Sequence, residues 1–391
     1  AIKLDDVMIS GAMGIKKKKD AQTSTQQVVK GAEIRQAANP NIIQSLTGKV
    51  SGLQINTVSN GVSPDTRIVL RGMRTLTGDS QALVVIDGAI STANILGQLP
   101  PDVVESVNVI KGQQGSALYG QQGSNGVIIV TTKKGSGSKK PVISLNSSVD
   151  FTSVLFVPKT QDKYGQGWTT PDGEVFDDGT GLQGSHTPIE NGSWGPAYND
   201  PNFVGTLQAT GLPQADGSFK MLPWSPIKNN IKKFFKAGTI LQNGISINMG
   251  DENGYSLLSV NRQNTDFVVD GDKLIRNSFL FKGGKKMGKW SVDGSANYIS
   301  QKTSQTSSDL FDNLLQTPTN VPVEQFSNPS NYNNWTIWSL SPYWKMKNIR
   351  YDDSSDIFNG TGAIGYEFNK HINAKYTGNM QFTNNVHEYH N

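Results

Sequence analysis

From Pro141 onward the chain repeatedly changes polarity at every second residue. That period restricts it to strands with one greasy and one wet face. In "VISLNSSVDF" the apolar residues Ile143, Leu145, Val149 and Phe151 interleave with Ser144, Asn146, Ser148 and Asp150. Trp290, Val292, Ala296 and Tyr298 alternate with Lys289, Ser291, Asp293, Ser295 and Asn297. Ile372, Ala374, Tyr376, Met380 and Phe382 alternate with Asn373, Lys375, Thr377, Asn379 and Gln381, and Phe358, Ile364, Tyr366 and Phe368 share a face. Strands are therefore expected near 142–151, 239–250, 255–267, 273–282, 289–302, 357–368 and 371–382.

The connections sort by length. "DENG" (Asp251–Gly254), "GGKKMG" (Gly283–Gly288) and "NKH" (Asn369–His371) read as short turns, whereas 152–237 and 303–356 are long links. Short turns at one end and long loops at the other are the pattern of an outer-membrane barrel. A strand of about ten residues at roughly 3.3 Å each, tilted near 40°, covers an apolar band of about 25 Å. A soluble β-sandwich also alternates, but its loops need not sort this way. On the barrel reading Trp290, Tyr298, Tyr366, Tyr376 and Phe382 face lipid, and Asp293, Asn297, Lys375, Asn379 and Gln381 face the lumen. No window holds the roughly 18 uninterrupted apolar residues of a membrane helix, and no charged-then-apolar leader opens the chain.

Up to about Gly135 the signals mix. "NPNIIQSLTGKVSG" offers Asn39 as N-cap, Pro40 at the first helical position, Ile42, Ile43, Leu46 and Val50 at helical spacing, and Gly52 as a stop. Short strands follow in "LQINTV", "RIVLRG", "ALVVIDGAI", "SVNVIKG" and "GVIIVTTKKG", with tight turns at Asp87-Gly88 and Asn125-Gly126. The glycine-rich "KGQQGSALYGQQGSNG" resembles a phosphate loop only in spacing. Gln121 and Gln122 stand where Lys and Ser/Thr are required, and a strand follows where a helix should. This part is a compact α+β unit.

Other chemistry finds little support. With 36 Lys+Arg against 32 Asp+Glu there is no electrostatic footprint for nucleic acid, and the absence of cysteine removes disulfides, thiol nucleophiles and Cys-ligated zinc. "HEYH" places His387 and His390 three apart, which on a strand puts them on opposite faces. "PDGEVFDDGTG" (Pro171–Gly181) is acidic and glycine-rich like a calcium loop, so loop-bound calcium is the one cofactor it suggests, although the regular frame of such a loop is absent. Asp177 and Asp178 are adjacent loop residues, which does not establish the roughly 5 Å or 6.5–9.5 Å separation of glycosidase carboxylates. No nucleophile, base and orienting group assemble, so no enzyme is expected.

"SVNVIKGQQGSALYGQQGSNGVIIVTTKKG", with "LTGKVSGLQI", "RIVLRGM" and "LVVIDG", resembles the plug of TonB-dependent outer-membrane transporters of the SusC/RagA type, and the likeness spans nearly all of Leu4 to Gly135. It continues more loosely in "GSWGP", "PIKNNIKKFFKAGTILQNGISI" and "NYISQKTSQ". The resemblance implies a mixed α+β plug followed by antiparallel transmembrane β-barrel strands, in a family whose barrel has about 22 strands. It implies a cell outer-membrane location, energy from TonB, a SusD-like surface lipoprotein as lid, and import of an oligosaccharide or peptide. A surface receptor or adhesin without energised transport is the alternative. Residues 1–20 are then a TonB-box-like segment and tether, 21–137 the plug, and 138–391 the N-terminal part of the barrel.

The same resemblance makes Leu4, Asp5, Asp6, Val7, Met8 and Ile9 the TonB-interacting stretch, suited to adding a strand to a partner sheet, with Lys16–Lys19 a solvated tether. The plug motif comprises Arg67, Arg71, Gly72, Asp87, Gly88, Gly112, Tyr119, Gly120, Asn125 and Gly126. Resistance to plug movement is expected from polar plug surface on a polar lumen wall, with Arg67, Arg71 and Arg74 as candidates and each hydrogen bond contributing about 1 kcal/mol. Outer-membrane lipid would surround the wall. Seven strands cannot close a barrel, since open edges in hydrocarbon cost several kcal/mol per unpaired group. The natural chain is expected to continue past Asn391, where "TNNVHEYHN" offers no closing strand, and to carry a leader and a small extra domain before Ala1.

Overall fold

The computed structural model describes residues 8–10, 16–18, 26–36, 41–57, 62, 66–73, 75, 80–134, 138–168, 186–213, 216–328, 336, 338–369 and 371–390. At the N-terminus β1 (Met8–Ser10) pairs antiparallel with β2 (Lys16–Lys18), Met8 opposite Lys18. Part of the lysine run expected to be a tether is thus a strand. Leu4, Asp5, Asp6 and Val7 lie outside the described residues.

The α+β unit runs through β3 (Gln26–Lys30), α1 (Gly31–Gln36), α2 (Ile42–Ser45), β4 (Leu53–Thr57), β5 (Thr66–Leu70), β6 (Leu83–Ile86), β7 (Ala89–Ser91), α3 (Ala93–Gln98), β8 (Val104–Ile110), α4 (Gln113–Tyr119) and β9 (Val127–Thr132). Its main sheet has the order β3-β8-β9-β6-β7, with β6 and β9 parallel and the other neighbours antiparallel. β4 and β5 form a separate hairpin. The near-continuous apolar run of β9, buried on almost every residue, fits a central strand covered on both faces.

Two local readings change. The α2 cap is Asn41, whose side chain accepts from the Ile43 amide, and α2 is only four residues long. Asn39 and Pro40 lie outside the described residues. The apolar residues assigned to that helix do go inward, with Ile42, Ile43, Leu46 and Val50 all buried. In addition α4 forms across "QQGSALY", which has no helical apolar period. Its Gly115 meets Gly123 backbone to backbone, and a Cβ on either would lie 2.2–2.3 Å from the other's carbonyl oxygen.

From Val142 the chain forms one antiparallel meander: β10 (Val142–Thr152), then a small hairpin of β11 (Leu207–Thr210) and β12 (Lys220–Pro223) outside the sheet, β13 (Gly238–Gly250), β14 (Gly254–Asp266), β15 (Lys273–Met287), β16 (Trp290–Thr306), helices α5 (Leu310–Leu315) and α6 (Pro342–Asn348), β17 (Arg350–Asn369) and β18 (Ile372–His390). Seven strands pair in sequence order, β10-β13-β14-β15-β16-β17-β18. At one end the links are residues 251–253, 288–289 and 370–371; at the other they are 153–237, 267–272 and 307–349. The α+β unit enters at the short-link end, where Gly250 donates its amide to the Ser138 carbonyl.

Three boundaries are corrected. The "GGKKMG" turn is in fact Gly288-Lys289, closed by Met287 opposite Trp290, because Gly283 and Gly284 stay in the ladder opposite Gly294 and Asp293. β17 begins at Arg350 rather than 357, so the second long link is shorter than expected. "TNNVHEYH" is the upper half of β18, not a tail. The outer face is apolar over much of its height, with Leu145, Val260, Phe279, Phe281, Trp290, Tyr298, Ile364, Tyr376 and Phe382 exposed. Among the described residues no helix is long and apolar enough to cross a membrane, which says nothing about strands.

Candidate functional site

The α+β unit sits against the inner face of the meander, and what joins them is the structure's most specific feature. Four wall side chains, Leu257 on β14, Leu280 on β15, Ile299 on β16 and Ile357 on β17, are buried in the same apolar cluster as Val29, Ile34, Leu46, Leu96, Val107 and Val130 of the unit. The expectation of polar plug surface on a polar wall is therefore incomplete, since an apolar seam joins the two beside their hydrogen bonds. Its source is the alternation itself: these aliphatic residues occupy wet-face positions, where they read as exceptions and not as a seam.

Beside the seam stands a buried polar knot. Asp87 occupies the β6–β7 turn at φ 50°, and its carboxylate accepts from the Thr132 amide (2.9 Å) and the Thr132 hydroxyl (2.5 Å). Lys282 reaches in from β15 and donates to Asp87 Oδ1 at 2.9 Å, to Thr132 Oγ1 at 2.8 Å and to the Thr132 carbonyl at 3.2 Å. The three donor positions of the ammonium are thereby satisfied, as burial of a charge demands. Lys282 is 6% exposed. Among the described residues it makes the one ion pair between unit and wall. Nearby, Tyr255 donates to Asp293 Oδ1 at 2.8 Å, with Lys134 5.6 Å over the Tyr255 ring.

Higher on the wall, Arg276 donates to the Gly97 carbonyl at the end of α3 (3.3 Å) and to Gln301 Oε1 (2.9 Å), and the Val62 amide donates to Gln305 Oε1 (3.3 Å). The grip is one-sided. Towards β10, β13 and β14 a cavity of about 370 Å³ opens, lined among others by Arg35, Gln98, Asp102, Gln242, Gln263 and Arg276. Just past the knot, burial and then the Arg35 guanidinium hold the Lys133 ammonium below its usual range.

The motif residues fall as follows. Gly72, Gly88, Gly112, Gly120 and Gly126 all have positive φ, between 63° and 93°. Arg71 also has positive φ (63°), and its guanidinium lies beside Gly112. Arg67 and Arg71 are exposed, and among the described residues neither pairs with the wall; Arg74 lies outside them. Tyr119 packs against the small cluster of Val85, Ile110, Val127 and Ile129. Asn125 and Gly126 lead into β9, where the Gly126 carbonyl accepts from the Leu83 amide. Met8 and Ile9 lie in β1.

His387 and His390 sit on opposite faces of β18, beside Asp353 and Asp352 respectively. His186 is buried in the first long link between the carbonyls of Gln166 and Ala209, edge-on to Trp224. Pro171–Gly181, with Asp177 and Asp178, lies outside the described residues. Sequence reasoning missed Lys282. Its one signal was a lone lysine on the wet face of "FLFKGG".

The family model of the TonB-dependent receptor plug domain matches residues 17–127, the α+β unit up to the start of β9. The TonB-dependent receptor SusC of Bacteroides thetaiotaomicron is 32% identical over 230 residues, covering 56% of this chain and 22% of that receptor. The chain carries a TonB-dependent receptor plug domain and is similar to the SusC-type receptors. A TonB-dependent receptor of Formosa agariphila is 25% identical over 293 residues, 69% of this chain and 28% of its own length. The plug and seven strands thus span less than a third of the length of these curated relatives. The solved RagAB peptide importer shares the fold, with a TM-score of 0.66 at 18% identity over 93% of this chain and 41% of the other.

Proposed function

We propose that the plug and wall belong to an importer in the outer membrane, driven by TonB, that takes up an oligosaccharide or a peptide with a SusD-like lipoprotein as lid. The observation that carries this reading is a folded plug seated inside a wall whose outer face is apolar. Such a plug must be moved or remodelled for anything sizeable to pass. Energy is needed because the seat combines buried aliphatic contacts with a fully satisfied buried charge.

The N-terminal stretch Leu4–Ile9 would add as a strand to the edge of a TonB sheet, with backbone hydrogen bonds supplying affinity. A pull on it would reach β3, an edge strand held to β8 by five register pairs. Edge strands separate more easily than central ones because only one ladder must break. The test is deletion of residues 4–10 from the full-length protein, or Val7→Pro, which removes a backbone donor. Uptake should vanish while membrane insertion and ligand binding persist. Undiminished uptake would refute TonB-driven import through this stretch, and a parent protein that binds ligand without any uptake would favour the other reading, a surface receptor or adhesin.

A further inference from the structure

Lys282 is not a motif residue of the plug and lies on the wall, yet it contacts two plug elements at once. Asp87 directly follows β6, and Thr132 ends β9, the last plug strand before the wall begins. β6 and β9 are parallel neighbours, so one ammonium clamps the same ends of two adjacent strands. The clamp joins the central strand β9 to the β6–β7 turn, away from the β3 edge. We propose that Lys282 is the positioning residue that holds the plug in its closed seat, an inference that rests on the importer reading.

The chemistry makes the clamp unequal. Without Lys282, the Asp87 carboxylate keeps its two bonds to Thr132 but loses its counter-charge inside the protein. Without the Asp87 charge, Lys282 still has the Thr132 carbonyl and hydroxyl as acceptors. When both charges go, no buried ion is stranded. A residue that merely filled space would show no such order.

The experiment uses the full-length transporter in outer membranes of cells lacking TonB, so that energised uptake plays no part. Entry of vancomycin, a large polar antibiotic, reports leakage past the plug, and heat-modifiable gel migration reports that the barrel has folded. Lys282→Met should raise vancomycin sensitivity about tenfold or more, corresponding to about 1.4 kcal/mol or more in seating. Asp87→Asn should leak less than Lys282→Met, and the double variant should return towards the parent. A folded Lys282→Met no leakier than the parent, or a double variant as leaky as Lys282→Met, overturns the assignment. Failure of the residue 4–10 deletion to block uptake would instead strike the importer reading.

Discussion

Replacing Ile299 with alanine tests whether the seam, rather than the polar contacts, dominates plug seating. Ile299 is fully buried on β16, opposite Ile357, in the cluster shared with the plug. Alanine deletes three carbons, about 2 kcal/mol of transfer free energy at roughly 0.8 kcal/mol each. The cavity left behind brings the expected cost to about 2–5 kcal/mol. A single plug–wall hydrogen bond, such as Val62 to Gln305, contributes about 1 kcal/mol. In denaturant titrations of the full-length protein, followed by a probe on the plug, Ile299→Ala should therefore shift plug release more than Gln305→Ala. Val292→Ala, at an outward position 43% exposed on the same strand, should stay within about 0.5 kcal/mol of the parent. An Ile299→Ala shift no larger than that of Gln305→Ala would refute the argument.

Gly126→Ala should destabilise the plug by about 1–3 kcal/mol in thermal unfolding, because φ is +93° and the new Cβ would lie 2.5 Å from Leu70 Cδ1 and 3.0 Å from the Ile110 carbonyl. Gly205→Ala, with nothing within 4 Å, should cost less. Aqueous maleimide should modify cysteines at Lys375, Asn379 and Gln381 faster than at Tyr376 and Phe382 in membranes; equal rates would argue against the assigned faces. Hydrogen bonds from Lys345 and Ser307 hold the Asp309 carboxyl below the ordinary carboxylate value. Its folded pKa being depressed, this contact between the start of α5 and α6 is fully present above about pH 4 and fades as pH falls through the depressed value. Trp344 fluorescence should follow that loss, and Asp309→Asn should abolish it.

The alternation made much of the wall legible, since four runs of period two fall on β10, β16, β17 and β18, and the three further strand candidates fall on β13, β14 and β15. It failed where neither face is apolar. "RYDDSSD" at the start of β17 is polar on every residue after Tyr351, so nothing distinguishes it from loop until its ladder with β16 is seen. Gly283 and Gly284 suggested a turn, yet they are strand residues that leave room for Phe281, Tyr255 and Asp293 side chains. In the plug, turn chemistry located Asp87-Gly88 and Asn125-Gly126, but α4 depends on a long-range backbone contact between Gly115 and Gly123 that no local pattern encodes. The ion pair joins residues 195 apart in sequence, Asp87 and Lys282, which is why one half of it was visible as a motif and the other was not.

On the proposed importer reading, Leu257, Leu280, Ile299 and Ile357 also bear on what would happen once the plug moved. A bore otherwise lined by polar side chains would then show water a narrow oily stripe. Each aliphatic residue wetted costs about 1.5–3 kcal/mol relative to burial, and that cost disappears only when the plug's own core surface covers it again. The stripe would therefore act as a return spring, with the outward stroke driven by an external pull and the homeward stroke by water alone. It would also offer little to a hydrophilic cargo, which could slide past without sticking.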